Sequence, residues 1–174
     1  MNNEGFIKGY KCFNKGLTNR YGKKFELLHL YHTDGDIKFG NNGNGFHMCK
    51  NMEDTLRYFD AMNDEVDICY VECFGNHDLY EDDYYGYYDM YSVEYLFLTK
   101  LMTREDILKY ALKLNEPRII RLVSLYKFTE EELKIICETF KDNLHVQDYI
   151  SYYQCNDKEV FNRRRVRKIE RTNY

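Results

Sequence analysis

The chain has 174 residues, a mass of 21.2 kDa and a formal net charge of −4, with 44% hydrophobic and 31% charged residues. This composition indicates one folded domain, or one domain with a small appendage, and excludes a disordered chain. No apolar run approaches the length of about 18 residues that a membrane-spanning helix needs, and residues 1–4 lack the character of a signal peptide.

Glycine is distributed unevenly along the chain. Eight of the ten glycines lie between Gly5 and Gly45, and none follows Gly86. Because glycine favours turns and disfavours helix interiors, strands are predicted in the first half and helices in the second. We therefore predict an α+β fold, in which a glycine-rich N-terminal β-sheet domain with one early helix precedes a C-terminal array of short helices. The predicted boundaries are 1–102 for the sheet domain, 103–155 for the helical appendage and 156–174 for a basic C-terminal tail.

Five strands and one helix are predicted in the N-terminal half. The strands span residues 6–13, 25–31, 46–49, 66–74 and 95–102. The helix follows Asn51 and carries apolar residues at helical spacing as far as Met62. The stretch 78–95, between the last two strands, is predicted to be a long insertion.

Four short helices are predicted in the C-terminal half from their start signals. They open at Thr103, Asn115, Thr129 and Leu144. Thr129 and Glu132 have the spacing of a capping box, in which each side chain satisfies a backbone N–H of the other residue.

His47 is the first candidate for chemistry, because it follows the glycine-rich loop 40–45. Such a loop can approach a ligand closely, and the imidazole could act as an acid or a base. A tight turn with a half-buried histidine is the favoured interpretation. The loop lacks the Gly-Lys-Ser/Thr ending of a P-loop and the glycine order of a Rossmann loop, which disfavours both nucleotide-binding folds.

Thiols and carboxylates on the predicted strands form the second set of candidates. Cys69, Cys73 and His77 would be spaced by about 13 Å per four residues on one strand. This spacing is too wide for one zinc ion, so we predict buried thiols and no metal site. The chain has six cysteines, which we expect to be free thiols in a reducing cytoplasm. Glu72 and Glu94 are possible catalytic carboxylates, although solvent-facing or ion-paired side chains are the favoured interpretation.

The stretch 78–95 contains seven tyrosines and six acidic residues. Tyrosine rings bury a large area at low entropic cost, and interleaved carboxylates suit the basic surface of a protein partner. A solvated loop is an equally favoured interpretation of this stretch. The predicted partner-binding residues are Tyr80, Glu81, Asp82, Asp83, Tyr84, Tyr85, Tyr87, Tyr88 and Tyr91.

A basic cluster lies near the C-terminus. Its six basic residues and one acid give +5, which leaves −9 for residues 1–162. The cluster could contact the phosphates of a nucleic acid, but a solvated terminus or an intramolecular partner for the acidic body is favoured. The candidate nucleic-acid contacts are Arg163, Arg164, Arg165, Arg167 and Lys168.

Four short motifs occur in a familiar order: Gly9-Tyr-Lys-Cys-Phe13, Gly16-Leu17, Gly45-Phe-His-Met-Cys-Lys-Asn51 and Val71-Glu-Cys-Phe-Gly75. Their order resembles an uncharacterised domain family of bacteria and phages, with a YKxF…GFHxC…VExxG pattern, over residues 8–108. The resemblance implies a setting in bacteria or phages and brings no established activity.

A more distant similarity is to the fold of small ADP-ribosyltransferases. The segment 45–58 resembles their middle strand and helix, and Ser92-Val-Glu-Tyr-Leu-Phe-Leu98 resembles their last strand. The similarity implies Glu94 as the catalytic carboxylate, with His47 as a further catalytic candidate. It also implies that Tyr10, His47 and Tyr58 hold NAD, although the chain has Tyr10-Lys11 where those enzymes carry Arg or His.

Three functions are therefore expected, in this order. The first is a protein-binding module without a cofactor, such as a phage or mobile-element inhibitor of host defence, acting through the acidic tyrosine-rich surface. The second is an NAD-dependent ADP-ribosyltransferase that uses Glu94 to stabilise a cation-like transition state. The third is nucleic-acid binding through the basic tail. No membrane partner is expected.

Overall fold

The structure is a computed structural model that describes residues 6–39, 43–81 and 89–154. The chain forms two compact units, Met1–Glu105 and Asp106–Tyr174. An antiparallel sheet lies in the first half and several helices lie in the second. The prediction of an α+β fold is therefore confirmed. Within the described residues, no helix has the length and apolar character that a membrane span requires.

Five strands make up the sheet of the first unit. They are β1 (Ile7–Asn14), β2 (Leu30–His32), β3 (Phe46–Cys49), β4 (Val66–Glu81) and β5 (Asp89–Leu101). The order is β2-β5-β3-β1-β4, and β5 also pairs with β4. Strands β1, β3, β5 and β4 therefore form a closed ring of antiparallel pairs. The pair Tyr10↔Cys49 joins β1 to β3 and closes the ring.

Apolar side chains fill the interior of this closed sheet. The buried cluster consists of Phe13, Phe25, Met48, Cys69, Val71, Cys73, Val93, Leu96 and Leu98. Gly9 lets β3 cross β1 closely, because a Cβ atom at this position would lie 2.3 Å from the carbonyl oxygen of Cys49. The prediction of buried strand thiols at Cys69 and Cys73 is confirmed.

The predicted strand 25–31 is wrong for most of its length, because only Leu30–His32 forms a strand. Phe25 instead packs into the core from a loop, and its backbone N–H donates to the carbonyl oxygen of Leu17 at 2.8 Å. Leu28 has a φ of 56°, a left-handed conformation that interrupts an extended chain. Burial of the Phe25 ring therefore outweighs the strand propensity of this segment.

The early helix is shorter than predicted. Helix α1 spans Met52–Thr55 and continues as a 3₁₀ turn over Leu56–Tyr58. The carbonyl oxygen of Asp60 then accepts hydrogen bonds from the backbone of Asn63 and Asp64, and the Asp60 carboxylate accepts from the Asn63 amide. Such local bonds give the backbone an alternative to the helix, so the helix does not reach Met62.

The predicted insertion 78–95 is also corrected. Strand β4 continues to Glu81 and β5 begins at Asp89, so the flanks of this stretch form one long hairpin in which Leu79 pairs with Tyr91. Tyrosine fits the half-buried surface of a sheet well, and cross-strand pairing satisfies the backbone groups that a loop would leave to water. Residues 82–88 lie outside the described residues.

Four helices follow, as predicted: α2 (Arg104–Ala111), α3 (Glu116–Leu125), α4 (Glu130–Thr139) and α5 (Leu144–Tyr153). The capping box is confirmed, since the Thr129 hydroxyl accepts from the Glu132 N–H at 3.2 Å and the Glu132 carboxylate accepts from the Thr129 N–H at 2.8 Å. In the second unit, the amide of Gln154 donates to the carbonyl oxygens of Val123 and Tyr126. It thereby satisfies carbonyl groups at the end of α3.

Candidate functional site

A β-bulge in β4 creates the most organised polar cluster of the first unit. Phe74 pairs with Tyr95 and His77 pairs with Val93, so Gly75 and Asn76 together face Glu94. Gly75 has a φ of +81°, which glycine adopts without steric cost. The extra residue of a bulge is left unpaired in the ladder. Here the Glu94 carboxylate accepts the Asn76 N–H at 2.8 Å.

Glu94 is held on both of its oxygens. Its Oε2 also accepts from the side-chain amide of Asn76 at 2.8 Å, and its Oε1 lies 3.4 Å from Nε2 of His32. The Glu94 side chain is 19% exposed. Since backbone and amide donors fix one oxygen, the other oxygen can orient the imidazole.

Ring stacking also orients His32. Its ring lies 4.4 Å from that of Tyr95, with an angle of 21° between the planes, and Tyr95 stacks in turn on Phe74 at 4.7 Å. Asp34 Oδ1 is 3.6 Å from the same Nε2 of His32. A carboxylate-oriented imidazole is the arrangement that general acid–base chemistry uses, with the second ring nitrogen left for the proton transfer.

Sequence reasoning selected Glu94 and missed both of its partners. His32 comes 62 residues earlier in the chain, and its strand pairs with β5 only in the folded protein. The dipeptide Gly75-Asn76 directly follows the predicted strand 66–74. It was a usable signal, because a glycine within an extended segment often marks a bulge in a strand that continues beyond it.

The other candidate catalytic and NAD-binding residues lie around β3. His47 pairs with Ser92, and its ring lies 4.9 Å from that of Phe39. Burial and the nearby Lys11 lower the pKa of His47, so the neutral imidazole is favoured.

Tyr10 and Tyr58 lie at the two ends of one row of neighbouring residues across the sheet. Tyr10 pairs with Cys49, which pairs in turn with Met90, and the Tyr58 hydroxyl lies 3.7 Å from the sulfur of Met90. In the described part of the chain, the polar contacts of the Glu94 side chain are with His32 and Asn76. The residues proposed to hold NAD therefore lie near β3. The Glu94 carboxylate instead contacts His32 of β2 and accepts hydrogen bonds from Asn76 in the bulge.

Of the predicted partner-binding residues, Tyr80 and Tyr91 lie on opposite faces of the hairpin, since Tyr80 pairs with Met90 and Tyr91 pairs with Leu79. Tyr80 is 45% exposed, and its ring lies 5.7 Å from that of Phe39. Tyr91 packs against the buried core instead, with its ring 6.2 Å from His77. Glu81 is the last residue of β4. Residues Asp82, Asp83, Tyr84, Tyr85, Tyr87 and Tyr88 lie outside the described residues, as do Arg163, Arg164, Arg165, Arg167 and Lys168.

Among the described residues, one edge of strand β4 has no neighbouring strand beside these residues. Its pairing with β1 ends at Cys73, and the described strands give the segment from Phe74 to Glu81 no neighbour except β5. Leu79, on this segment, is 39% exposed. Glu72, before this segment, forms an ion pair with Lys8 of β1 at 3.1 Å.

Part of the chain is similar to a protein family known from sequence. Comparison with curated proteins and with solved structures finds no match. A family model described as a domain of unknown function (DUF7666) matches residues 7–86, which include β1 to β4. The segment that forms most of the closed sheet is therefore similar to an uncharacterised domain, the domain of unknown function DUF7666.

Proposed function

We propose that this protein is a small binding module that docks a protein partner with a basic surface through the hairpin of β4 and β5. One observation carries the proposal. Leu79 and Tyr80 are 39% and 45% exposed on a hairpin whose sequence from 78 to 95 has six acidic residues and no lysine, arginine or histidine.

The exposed side chains of the hairpin supply the contact area for such a partner. Aromatic residues are enriched at the centres of protein interfaces because they bury much area with few rotatable bonds. Asp78 steadies the adjoining loop by accepting the Phe39 N–H at 3.0 Å, and Phe39 then contacts Tyr80. The loop that carries Phe39 therefore packs against the Tyr80 ring and limits its movement.

Charge determines which kind of partner would bind. Acidic residues on the hairpin steer a basic surface toward it and repel another acidic one. The same field repels nucleic acid from this part of the chain. Within this proposal, a phage or mobile-element inhibitor of a host defence protein is the role that the bacterial and phage setting suggests. We place its action in the cytoplasm, because the cysteines are interpreted as free thiols.

A matched pair of charge reversals tests the proposal. One variant carries Glu81→Lys, Asp82→Lys and Asp83→Lys; the other carries Glu138→Lys, Asp142→Lys and Asp148→Lys, at exposed positions of the second unit. Each variant changes the net charge from −4 to +2. Tagged proteins are used to capture partners from a bacterial lysate, and the captured proteins are quantified by mass spectrometry.

We expect one partner in stoichiometric amount, lost with the hairpin variant and retained with the control variant. Equal loss with both variants would point to nonspecific charge attraction and contradict the proposal. Retention by the hairpin variant would contradict it as well. Adding about 0.5 M salt should weaken the capture, since exposed charges are screened over a few ångströms at that concentration.

A second candidate function is catalysis at Glu94, as in an NAD-dependent ADP-ribosyltransferase. The observation in its favour is the fixed carboxylate, with Asn76 on one oxygen and His32 on the other. A preorganised negative charge stabilises a cation-like transition state without reorganising at the moment of reaction. Tyr10, His47 and Tyr58 remain the proposed NAD contacts.

Nicotinamide release from NAD distinguishes the two functions. If Glu94 is catalytic, Glu94→Gln abolishes release at unchanged fold, while the hairpin variant keeps it. If the protein acts only by binding, no release occurs and Glu94→Gln captures the partner as the wild type does. An ADP-ribose adduct on a captured protein, present in substoichiometric amount, would favour the enzyme over the binding module.

A further inference from the structure

Three aromatic rings of the first unit, those of Phe25, Tyr31 and Phe46, form a cup beneath the amine of Lys23. The Lys23 Nζ lies 5.4 Å from the centre of the Phe25 ring and 5.8 Å from the centres of the other two rings. The ring centres lie 4.7 to 6.3 Å apart, and their planes meet at angles of 52°, 85° and 63°. Because the planes are steeply inclined, the rings enclose a concave space and one cation contacts all three.

The fold holds the three rings of the cup in place. The Phe25 side chain is buried. The Tyr31 hydroxyl accepts a hydrogen bond from the Glu26 N–H at 2.7 Å, and Phe46 pairs with Val93 between β3 and β5. The cup is therefore preformed, so a ligand does not have to order it on binding.

The Lys23 side chain can leave the cup without any change in the backbone. Asn19 holds the turn, since its side-chain oxygen accepts the Lys23 N–H and its own N–H donates to the Lys23 carbonyl oxygen, both at 2.9 Å. Within the described residues, no carboxylate lies within ion-pair distance of the Lys23 amine. Lys23 is exposed, so solvent and a small ligand reach the opening of the cup.

We propose that the cup is a binding site for a quaternary ammonium group, and that the Lys23 amine occupies it when the ligand is absent. A lysine ammonium is strongly hydrated, whereas a trimethylammonium group has no N–H and gives up less hydration between the rings. Its methyl groups also bury apolar surface against them. Proteins recognise quaternary ammonium groups by aromatic cages of this kind. The site is separate from the hairpin residues and from Glu94.

Titration of the intact protein with choline, followed by proton NMR, tests the proposal. The uncharged analogue 3,3-dimethyl-1-butanol has the same shape with carbon in place of the nitrogen, so it is the matched control ligand. The ring protons of the cup should shift, and the N-methyl signal should move upfield over the ring faces. We expect a Kd of about 1 mM for choline and at least about tenfold weaker binding of the analogue. Equal affinities, or no shift at about 50 mM choline, would overturn the proposal.

Three variants assign the binding to the cup. Lys23→Gln removes the competing ammonium and should tighten choline binding about threefold to tenfold, because more cups are empty. Phe46→Leu removes one ring and should weaken binding about tenfold. Tyr21→Leu is the matched control, since this ring lies on the same turn and is 93% exposed, and it should leave the Kd unchanged.

The variants can also contradict the proposal. Weaker binding by Lys23→Gln would overturn it, as would equal weakening by Tyr21→Leu and Phe46→Leu. Circular dichroism checks the fold of Phe46→Leu, because Phe46 packs against the core. If that variant does not fold, the two ligands and Lys23→Gln still decide the outcome.

A second titration distinguishes the source of the ammonium group. Choline represents a free small molecule, and a short peptide with one trimethyllysine represents a modified protein. Tighter binding of the peptide than of choline would assign the site to a modified protein, and weaker binding would assign it to a small molecule. Equal binding of the trimethylated peptide and its unmethylated form would contradict the preference for a quaternary ammonium group.

Discussion

Replacing Gly9 by alanine tests whether the closed sheet depends on a close approach of β1 and β3. A Cβ atom at this position would lie 2.3 Å from the carbonyl oxygen of Cys49 and 2.4 Å from the terminal methyl of Met48. The methyl group belongs to a flexible side chain and can move. The oxygen belongs to the β3 backbone, next to the pair that closes the ring, so β3 would have to retreat by about 1 Å.

The expected cost follows from these distances. Overpacking a core costs about 1–3 kcal/mol, and a clash with backbone belongs at the upper end of this range. Alanine recovers about 0.4–1 kcal/mol by restricting the unfolded chain. The net loss should be about 2 kcal/mol, which corresponds to a fall in melting temperature of about 4–8 °C for a chain of this size.

Gly22→Ala is the matched control. Gly22 has a φ of +83° and no atom within 4 Å of an added Cβ, so alanine there is strained by about 1–2 kcal/mol without any clash. Replacing glycine by alanine lowers the conformational entropy of the unfolded chain equally in both variants, so this contribution cancels when their free energies of unfolding are compared. Urea unfolding followed by circular dichroism should show the larger loss for Gly9→Ala. A loss for Gly9→Ala no greater than that for Gly22→Ala would refute the role of this contact.

Three further predictions concern stability. Asp67→Ala should cost about 1–3 kcal/mol in urea unfolding, because this buried carboxylate accepts the two backbone N–H groups of residues 16 and 17 at 2.7 and 3.0 Å; an unchanged midpoint would contradict this. Thr129→Ala should lower the free energy of unfolding by about 1 kcal/mol, whereas Thr129→Ser should preserve it; equal losses would argue against the capping bond. Folding lowers the pKa of Lys11 from 10.5 to about 8, so the unfolded chain holds more protons between these pH values. The wild type should therefore gain about 2–3 kcal/mol relative to Lys11→Met from pH 8 to 10.5, and a flat difference would show that the folded amine titrates normally.

The helices of the second unit could be predicted because their signals are local. Asn115 accepts the N–H of Arg118, and the Thr129–Glu132 box also joins residues three apart. Such bonds join residues that are close in the sequence, so the residue types and their spacing indicate them. The long hairpin could not be predicted in the same way, since its extent depends on pairing between strands that a tyrosine-rich segment separates.

The candidate site shows the same division. A carboxylate on a late strand could be selected from the sequence, and Glu94 lies on β5 as expected. Its partners His32 and Asn76 depend on strand pairing and on a bulge, neither of which has a fixed spacing in the sequence. The hydrogen bond from the Lys11 amine to the carbonyl group of His47 depends likewise on the pairing of β1 with β3.

Composition and local pattern alone determined the α+β class, the helix starts and the acidic, tyrosine-rich character of residues 78–95. These features arise from interactions within a few residues, or from residue types themselves. The tertiary structure alone decided which strands pair, which side chains face the interior, and which groups meet Glu94 and Lys11. A change of one residue in strand register moves every side chain to the opposite face. Contacts across the sheet therefore follow from the packing of the whole unit rather than from any short segment.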